Sequence, residues 1–372
     1  MAAEYLSLIL VPPIALAHLG FWGVLLVNLV YLRRQPQEKS SPAPPLSVCI
    51  PARNEEENLR RLLPSLRQQD YPDLEIFVWD DGSEDDTWTV LQKYADECLT
   101  PLRGADPPEG WVGKVHALYQ CTRHTSGRYY LFLDADAELK RPDALKQLID
   151  RHLGTPTSVS SGFPHLRGGA MLLVSLVPHA LLRSLPWPLV PRTESASLSA
   201  LNGQCWLVDA EIYHAHEPHE HVRNAVLEDV AIGRYLKAQG HPPTLLDAQD
   251  LVSVYMYDGY GEAWRGFRKN AYLLLGGTPL RFAFGYAGFV LTWLVAPFLS
   301  IWFLLSLYGL KIVTDRASGA SLTVSLLAPI SYLLGLALQL DSAIHHWLGR
   351  VAWKGRAVPS SAHPANQSPD PE

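Results

Sequence analysis

The side chains in this 372-residue chain with the clearest chemical potential are clustered carboxylates: Asp80 with Asp81, Asp134 with Asp136, and Glu228 with Asp229. In the stretch LFLDADAEL the acids follow directly on an apolar run, Tyr129 to Leu133. Such a run reads as a strand buried inside a sheet. Acids at its carboxyl end would stand where open α/β sheets bind ligands. The same pattern also suits a strand followed by an acidic helix start, because carboxylates favour helix N-termini. Three predicted strands end in polar clusters of this kind: Ala52-Arg53-Asn54-Glu55, Asp80-Asp81-Gly82-Ser83 and Asp134-Ala135-Asp136. In a parallel sheet these ends share one edge, a coincidence that stability alone does not require.

The elements that must position these residues can be read in order. LSVCI is a short strand, and PARNEEENLRRLLPSL continues as a helix with acids near its start and apolar residues at helical spacing. LEIFVWDDGSEDDTWTVLQKYADE repeats the scheme of strand, polar turn and helix, and GWVGKVHALYQCTRHTSG leads into the strand YYLFL. Strands alternating with helices imply an α/β domain built on a parallel-type sheet with covered faces. It is expected over residues 46–270, after a Pro/Ser-rich linker at 35–45. No internal repeat is evident. The Ser/Pro-rich tail at 358–372 is expected to be disordered.

Composition bounds the rest. A formal net charge of −6 gives no hint of nucleic-acid binding, which calls for a basic patch. Cys49, Cys98, Cys121 and Cys205 lack C-x-x-C spacing, so a reducing compartment fits better than a disulfide framework. Hydropathy is segregated. Residues 5–32 contain no Lys, Arg, Asp or Glu and are long enough to cross a bilayer, and Arg33 and Arg34 follow at once. The reading is an N-terminal transmembrane anchor (1–34) that leaves the following domain in the cytoplasm. Two further spans are expected within 282–341, over residues 282–310 and 322–340, making a multi-pass protein of the cell membrane. MLLVSLVPHALLRSLPWPLV, residues 171–190, carries His179, Arg183 and three prolines, and is expected to lie along the membrane interface, a buried core helix being the alternative.

Taken in order, PARNEEENL, VWDDGSEDDT, LFLDADAEL and LEDVAIGRYLKAQGH resemble the family 2 glycosyltransferases of the GT-A fold, a Rossmann-like mixed sheet. GWVGKVHAL resembles the version in membrane-bound members that glycosylate lipids, ceramide glucosyltransferases among them. The three spans and the closing VAWKGRAV are similar to the carotenoid- and hopanoid-associated branch. The resemblance implies a nucleotide-sugar donor, a UDP-sugar first, and Mg²⁺ or Mn²⁺ held by Asp134 and Asp136. Hard oxygen ligands suit either cation. It implies that Ala52, Arg53, Glu55, Asp80 and Asp81 hold the nucleoside. Lys114 would face the nucleotide or its phosphates, unless it is a solvated surface charge. Gly203 and Gln204 would lie close to donor sugar and acceptor, though a buried turn explains them equally. Asp229 would be the general base, with Glu228 in support. A base there gives inversion at the anomeric carbon by single displacement.

One segment departs from the family. Processive relatives carry Q-x-x-R-W near the membrane, whereas WRGFRKNAY places Arg265 on the glutamine, Arg268 on the arginine and Lys269 on the tryptophan. A lysine cannot stack on a growing acceptor sugar. Single transfer is therefore favoured over chain synthesis, and the three basic residues are candidates for the donor diphosphate or for anionic headgroups. The histidines of YHAHEPHEHVRN could chelate zinc, but a mobile loop over the site is the preferred reading. The function expected is an inverting glycosyltransferase that moves one sugar to a membrane lipid of carotenoid or hopanoid type. A sphingolipid or polyprenyl-phosphate acceptor, a polymer synthase and an inactive membrane scaffold are the alternatives.

Overall fold

The computed structural model describes residues 2–34, 43–104 and 106–357. The tail expected at 358–372 lies outside them, as does most of the linker. By their internal packing the described residues divide into two units: one of 34, 43–104, 106–165 and 189–255, the other of 2–33, 166–188 and 256–357.

The first unit holds a seven-stranded sheet. Its strands are β1 (Leu46–Ala52), β2 (Leu74–Asp80), β3 (Leu99–Arg103), β4 (Tyr129–Leu133), β6 (Val159–Phe163), β8 (Cys205–Asp209) and β9 (Thr244–Asp247). The short strands β5 (Ala137–Leu139), β7 (His165–Arg167) and β10 (Val252–Tyr255) lie outside it, and β5 pairs antiparallel with β10. In the sheet the order is β3-β2-β1-β4-β8-β6-β9. Strands β3, β2, β1 and β4 run parallel, β8 is antiparallel to both its neighbours, and β9 is parallel to β6. This is the mixed, parallel-dominated α/β sheet expected from the alternating pattern. Every residue of β4 is buried, which is why it reads as a continuous apolar run. The helix Glu56–Arg67 buries Leu59, Leu62, Leu63 and Leu66, one apolar stripe at helical spacing. Across the sheet Phe132 stacks on Trp206 with ring centroids 4.2 Å apart.

Two expectations for this unit change. Strand β3 had no counterpart in the sequence reading, because LTPLR is short and half-exposed and carries a proline. The histidine-rich segment is also not an irregular loop: it folds as the helices Ala210–His216 and Pro218–His221. Its histidines diverge instead of converging. His219 is buried with Nδ1 2.8 Å from Tyr213 Oη, and His214 Nε2 lies 2.7 Å from Tyr130 Oη. His221 stacks on Tyr235, and His216 meets His241.

The second unit is helical. Among the described residues two helices are long and apolar enough to cross a membrane, Ile9–Arg33 and Pro279–Leu299. The span expected over 282–310 is interrupted at Ser300, whose extended backbone (φ −160°) ends one helix while its Oγ accepts from Trp302 N and caps the next, Ile301–Ala317. The apolar run at 322–340 divides at Leu327 into Leu322–Leu326 and Ala328–Trp347. Within this unit residues 171–184 form the short helices Met171–Val174 and Leu176–Ser184, and the second packs on the N-terminal helix. Asn28 fixes that packing: its Nδ2 donates to the carbonyls of Leu182 and Leu185 at 2.8 Å each, and its Oδ1 accepts from Trp187 N at 2.9 Å.

Candidate active site

Strand β1 lies between β2 and β4, so their three carboxyl ends are neighbours on one edge. Ala52 pairs in register with Asp80, and its carbonyl accepts from Asp81 N at 2.8 Å. Asp80 is fully buried: Oδ1 accepts from Ser83 N at 2.9 Å, and Oδ2 lies 3.2 Å from Arg103 Nε on β3. Asp80 is thus the turn former of the pair, and Gly82 supplies the left-handed residue (φ +70°) that the turn needs. Arg53 ties the two strand ends together, donating from Nη1 to the carbonyls of Asp81 (2.6 Å) and Gly82 (3.2 Å). The backbone N–H of Glu55 donates to Thr87 Oγ1 at 2.8 Å. The nucleoside-binding candidates are thus tied together in one corner.

The second corner follows β4. Asp134 N donates to Gln204 O at 3.1 Å, a contact that extends the β4–β8 pairing, and Asp136 O accepts from Tyr255 N at 2.8 Å. Lys114, at the first turn of the helix Gly113–Thr122, places Nζ 2.7 Å from Asp134 Oδ1, 3.0 Å from Asp134 Oδ2 and 3.0 Å from Glu228 Oε1. A cation at a helix N-terminus opposes the helix dipole, so tertiary contacts decide this placement. Desolvation would lower the Lys114 pKa, but the carboxylates of Asp134 and Glu228 outweigh it and hold the ammonium well above its usual range.

Glu228 and Asp229 open the helix Glu228–Ala238. Asp229 accepts from Val230 N through Oδ1 at 2.8 Å and from Gly203 N through Oδ2 at 3.3 Å. Burial, and then the adjacent Glu228 charge, push the Asp229 carboxyl up to about 6. Gly203 is needed for space: a Cβ there would lie 3.2 Å from Asp229 Cβ and 3.3 Å from Lys114 Nζ. Its loop is pinned by Asn202, whose backbone N–H donates to Ser161 Oγ (2.9 Å) and whose side chain donates to Gly162 O (3.1 Å) and accepts from Gln204 N (3.2 Å). Asn202 and Arg103 are the residues that the sequence reading missed. The Asn-Gly dipeptide was the available signal for the first.

Residues 114, 134, 203, 228 and 229, distant in sequence, thus meet within hydrogen-bonding range. Arg265, Arg268 and Lys269 belong to the helix Tyr260–Leu274 of the other unit. There Arg268 Nη1 lies 3.6 Å from Asp341 Oδ2 and 2.8 Å from His345 Nε2.

Whether the acidic corner suits a divalent cation follows from its donors. Among the described residues no three His, Cys, Asp or Glu side chains converge to enclose an ion. Asp134 and Asp136 offer hard oxygens on one turn, and Asp134, Glu228 and Asp229 outnumber the single Lys114. That set fits a cation that takes its remaining ligands from phosphate and water.

Residues 47–215 match the family model described as glycosyl transferase family 2. Over this stretch, just under half of the chain, the sequence is similar to that family. The 4,4'-diaponeurosporenoate glycosyltransferase of Staphylococcus aureus (strain bovine RF122 / ET3-1) is 29% identical over 243 residues, which cover 63% of this chain and 62% of that protein. The mannosyltransferase PcManGT of Pyrobaculum calidifontis, solved with GDP-Man and Mn²⁺, superposes with a TM-score of 0.50 at 19% identity, covering 90% of this chain and 97% of that one. At that identity the likeness concerns the fold, and it places the sheet with the GT-A architecture.

Proposed function

We propose that the chain is an inverting glycosyltransferase that moves one sugar from a nucleotide-sugar donor, a UDP-sugar first, to a membrane lipid. The observation that carries this reading is the meeting of Lys114, Asp134, Gly203, Glu228 and Asp229 at the carboxyl edge of the sheet. Support for the acceptor class comes from the relative whose name is that of a carotenoid-acid glycosyltransferase. A polyisoprenoid bearing a hydroxyl or carboxyl group is the acceptor proposed.

In this reading Asp81, on the turn fixed by Asp80, accepts hydrogen bonds from the nucleoside, beside Ala52, Arg53 and Glu55. Asp134 and Asp136 would hold Mg²⁺ or Mn²⁺, which would stabilise the charge of the departing diphosphate. On donor arrival Lys114 exchanges a carboxylate partner for a phosphate oxygen. Asp229, held by Gly203 N and Val230 N, takes the acceptor hydroxyl proton, and the incoming oxygen attacks the face opposite the leaving group. Glu228 keeps Lys114 beside this base. The apolar helices Ile9–Arg33 and Pro279–Leu299, with Ala328–Trp347 as a third crossing, would keep the domain on the cytoplasmic face of the membrane. Residues 171–190 would lie at the interface. Arg265 and Lys269, in place of glutamine and tryptophan, favour one transfer over polymer synthesis.

The test uses the full chain in detergent with a panel of nucleotide sugars, Mn²⁺ or Mg²⁺, and a total lipid extract. Lipid-dependent release of nucleoside diphosphate that Asp136→Ala abolishes supports the reading. Silence with every donor, together with no nucleotide binding by calorimetry, would favour the inactive scaffold.

A further inference from the structure

Among the described residues of the helical unit, two Lys or Arg side chains are buried, Lys311 and Arg183. They are accommodated differently. Lys311 has its carboxylate, with Nζ 2.6 Å from Asp315 Oδ2, and it also donates to Ser175 Oγ at 2.9 Å. Arg183 is 8% exposed and among the described residues has no such partner: its Nε is enclosed and makes no hydrogen bond, and no carboxylate pairs with it. Instead its guanidinium carbon sits 4.6 Å from the ring centre of Phe21 and 4.8 Å from that of Trp293. The two rings themselves stack, with centroids 5.6 Å apart.

Ring faces attract the cation but accept none of its N–H donors in the plane, where a fork of five donors suits a carboxylate or phosphate. A cation buried among apolar side chains without its own counter-ion is a reason to look for a ligand there. His179, one turn away on the same helix, cannot supply the missing acceptor, because its ring nitrogens are engaged by Thr314 Oγ1 (2.9 Å) and Tyr332 Oη (3.0 Å). The surroundings suit an apolar tail: Trp293 stacks on Tyr332 at 4.8 Å, and Phe289 lies against both. We infer that Arg183, held against the Phe21 and Trp293 rings, binds the anionic headgroup of a lipid, a carboxylate or phosphate whose tail lies along this aromatic wall. This site does not depend on the transferase reading, and a chain without transfer activity would still possess it.

The experiment measures binding of hexadecanoate, hexadecyl phosphate and hexadecanol to the full chain in neutral detergent micelles. At least one anion is expected to bind tenfold or more tightly than the alcohol of equal tail length. Whichever anion binds best identifies the headgroup. Arg183→Met is expected to reduce the preference to within about twofold, while Arg33→Gln, an exposed basic control, leaves it intact. Equal binding of anion and alcohol by the unsubstituted chain overturns the inference, as does a preference that survives Arg183→Met. If Arg183→Met fails to fold, the thermal midpoint of the unsubstituted chain decides. A larger rise with the anion than with hexadecanol at equal mole fraction supports the site, and equal rises overturn it.

Discussion

Two lysine–carboxylate clusters in this molecule use the same chemistry to opposite ends. Lys114 faces Asp134 and Glu228 with Asp229 adjacent, so acids outnumber bases, and the side chains keep contact with solvent at 29%, 22% and 13% exposure for the first three. Lys311 faces one carboxylate, Asp315, both wholly buried, and Ser175 and Ser325 complete the ring of hydrogen bonds. The second cluster is matched and closed, which makes it structural. The first is unbalanced and open, so it can exchange partners with a charged ligand. Stoichiometry and access, more than residue type, separate a site from a strut.

The largest expected effect tests the open cluster. Asp229→Asn removes the only proposed base and should lower turnover with a hydroxyl acceptor by about 10²–10⁴-fold, with nucleotide binding by calorimetry retained. With a carboxylate acceptor, already ionised, the loss should be much smaller, and that contrast identifies the reacting group. Wild-type-like turnover with a hydroxyl acceptor would sink the base assignment.

The closed cluster should respond in stability. Lys311→Met alone leaves Asp315 buried and uncompensated, costing about 3–5 kcal/mol in thermal or denaturant unfolding. The double variant Lys311→Met, Asp315→Leu should recover most of that loss. If it did not, the pair would contribute more than mutual neutralisation. Gly203→Ala comes next. Its methyl group presses on Asp229 and Lys114 and should reduce turnover up to about tenfold without lowering the melting temperature. The smallest effect is the pH profile. Because Asp229 is pushed up to about 6, its basic form is lost as pH falls through that value, so kcat/KM with a hydroxyl acceptor should decline tenfold per unit below it and level off above. In Asp229→Asn the residual rate should lack this inflection.

Much of the acidic edge was legible because its signals are local. Each carboxylate cluster adjoins an apolar run whose burial fixes it as a strand, so the ends at Ala52, Asp80 and Asp134 could be placed without coordinates. What escaped was carried by single residues acting across distance. Arg103 reaches Asp80 from the edge strand, and Asn202 binds residues some forty positions away. Hydropathy misled over 282–310 because it averages side chains and takes no account of the backbone break at Ser300.

By itself, then, the sequence determined the alternation of strands and helices, the apolar helices and the identity of the candidate acids, since these follow from periodicity and composition over a few residues. Only the tertiary structure decided which acids share Lys114, which of the Asp80–Asp81 pair is consumed by its own turn, and which buried cation lacks a counter-ion. Charge balance is a property of neighbours in space, and chain order alone does not specify those neighbours.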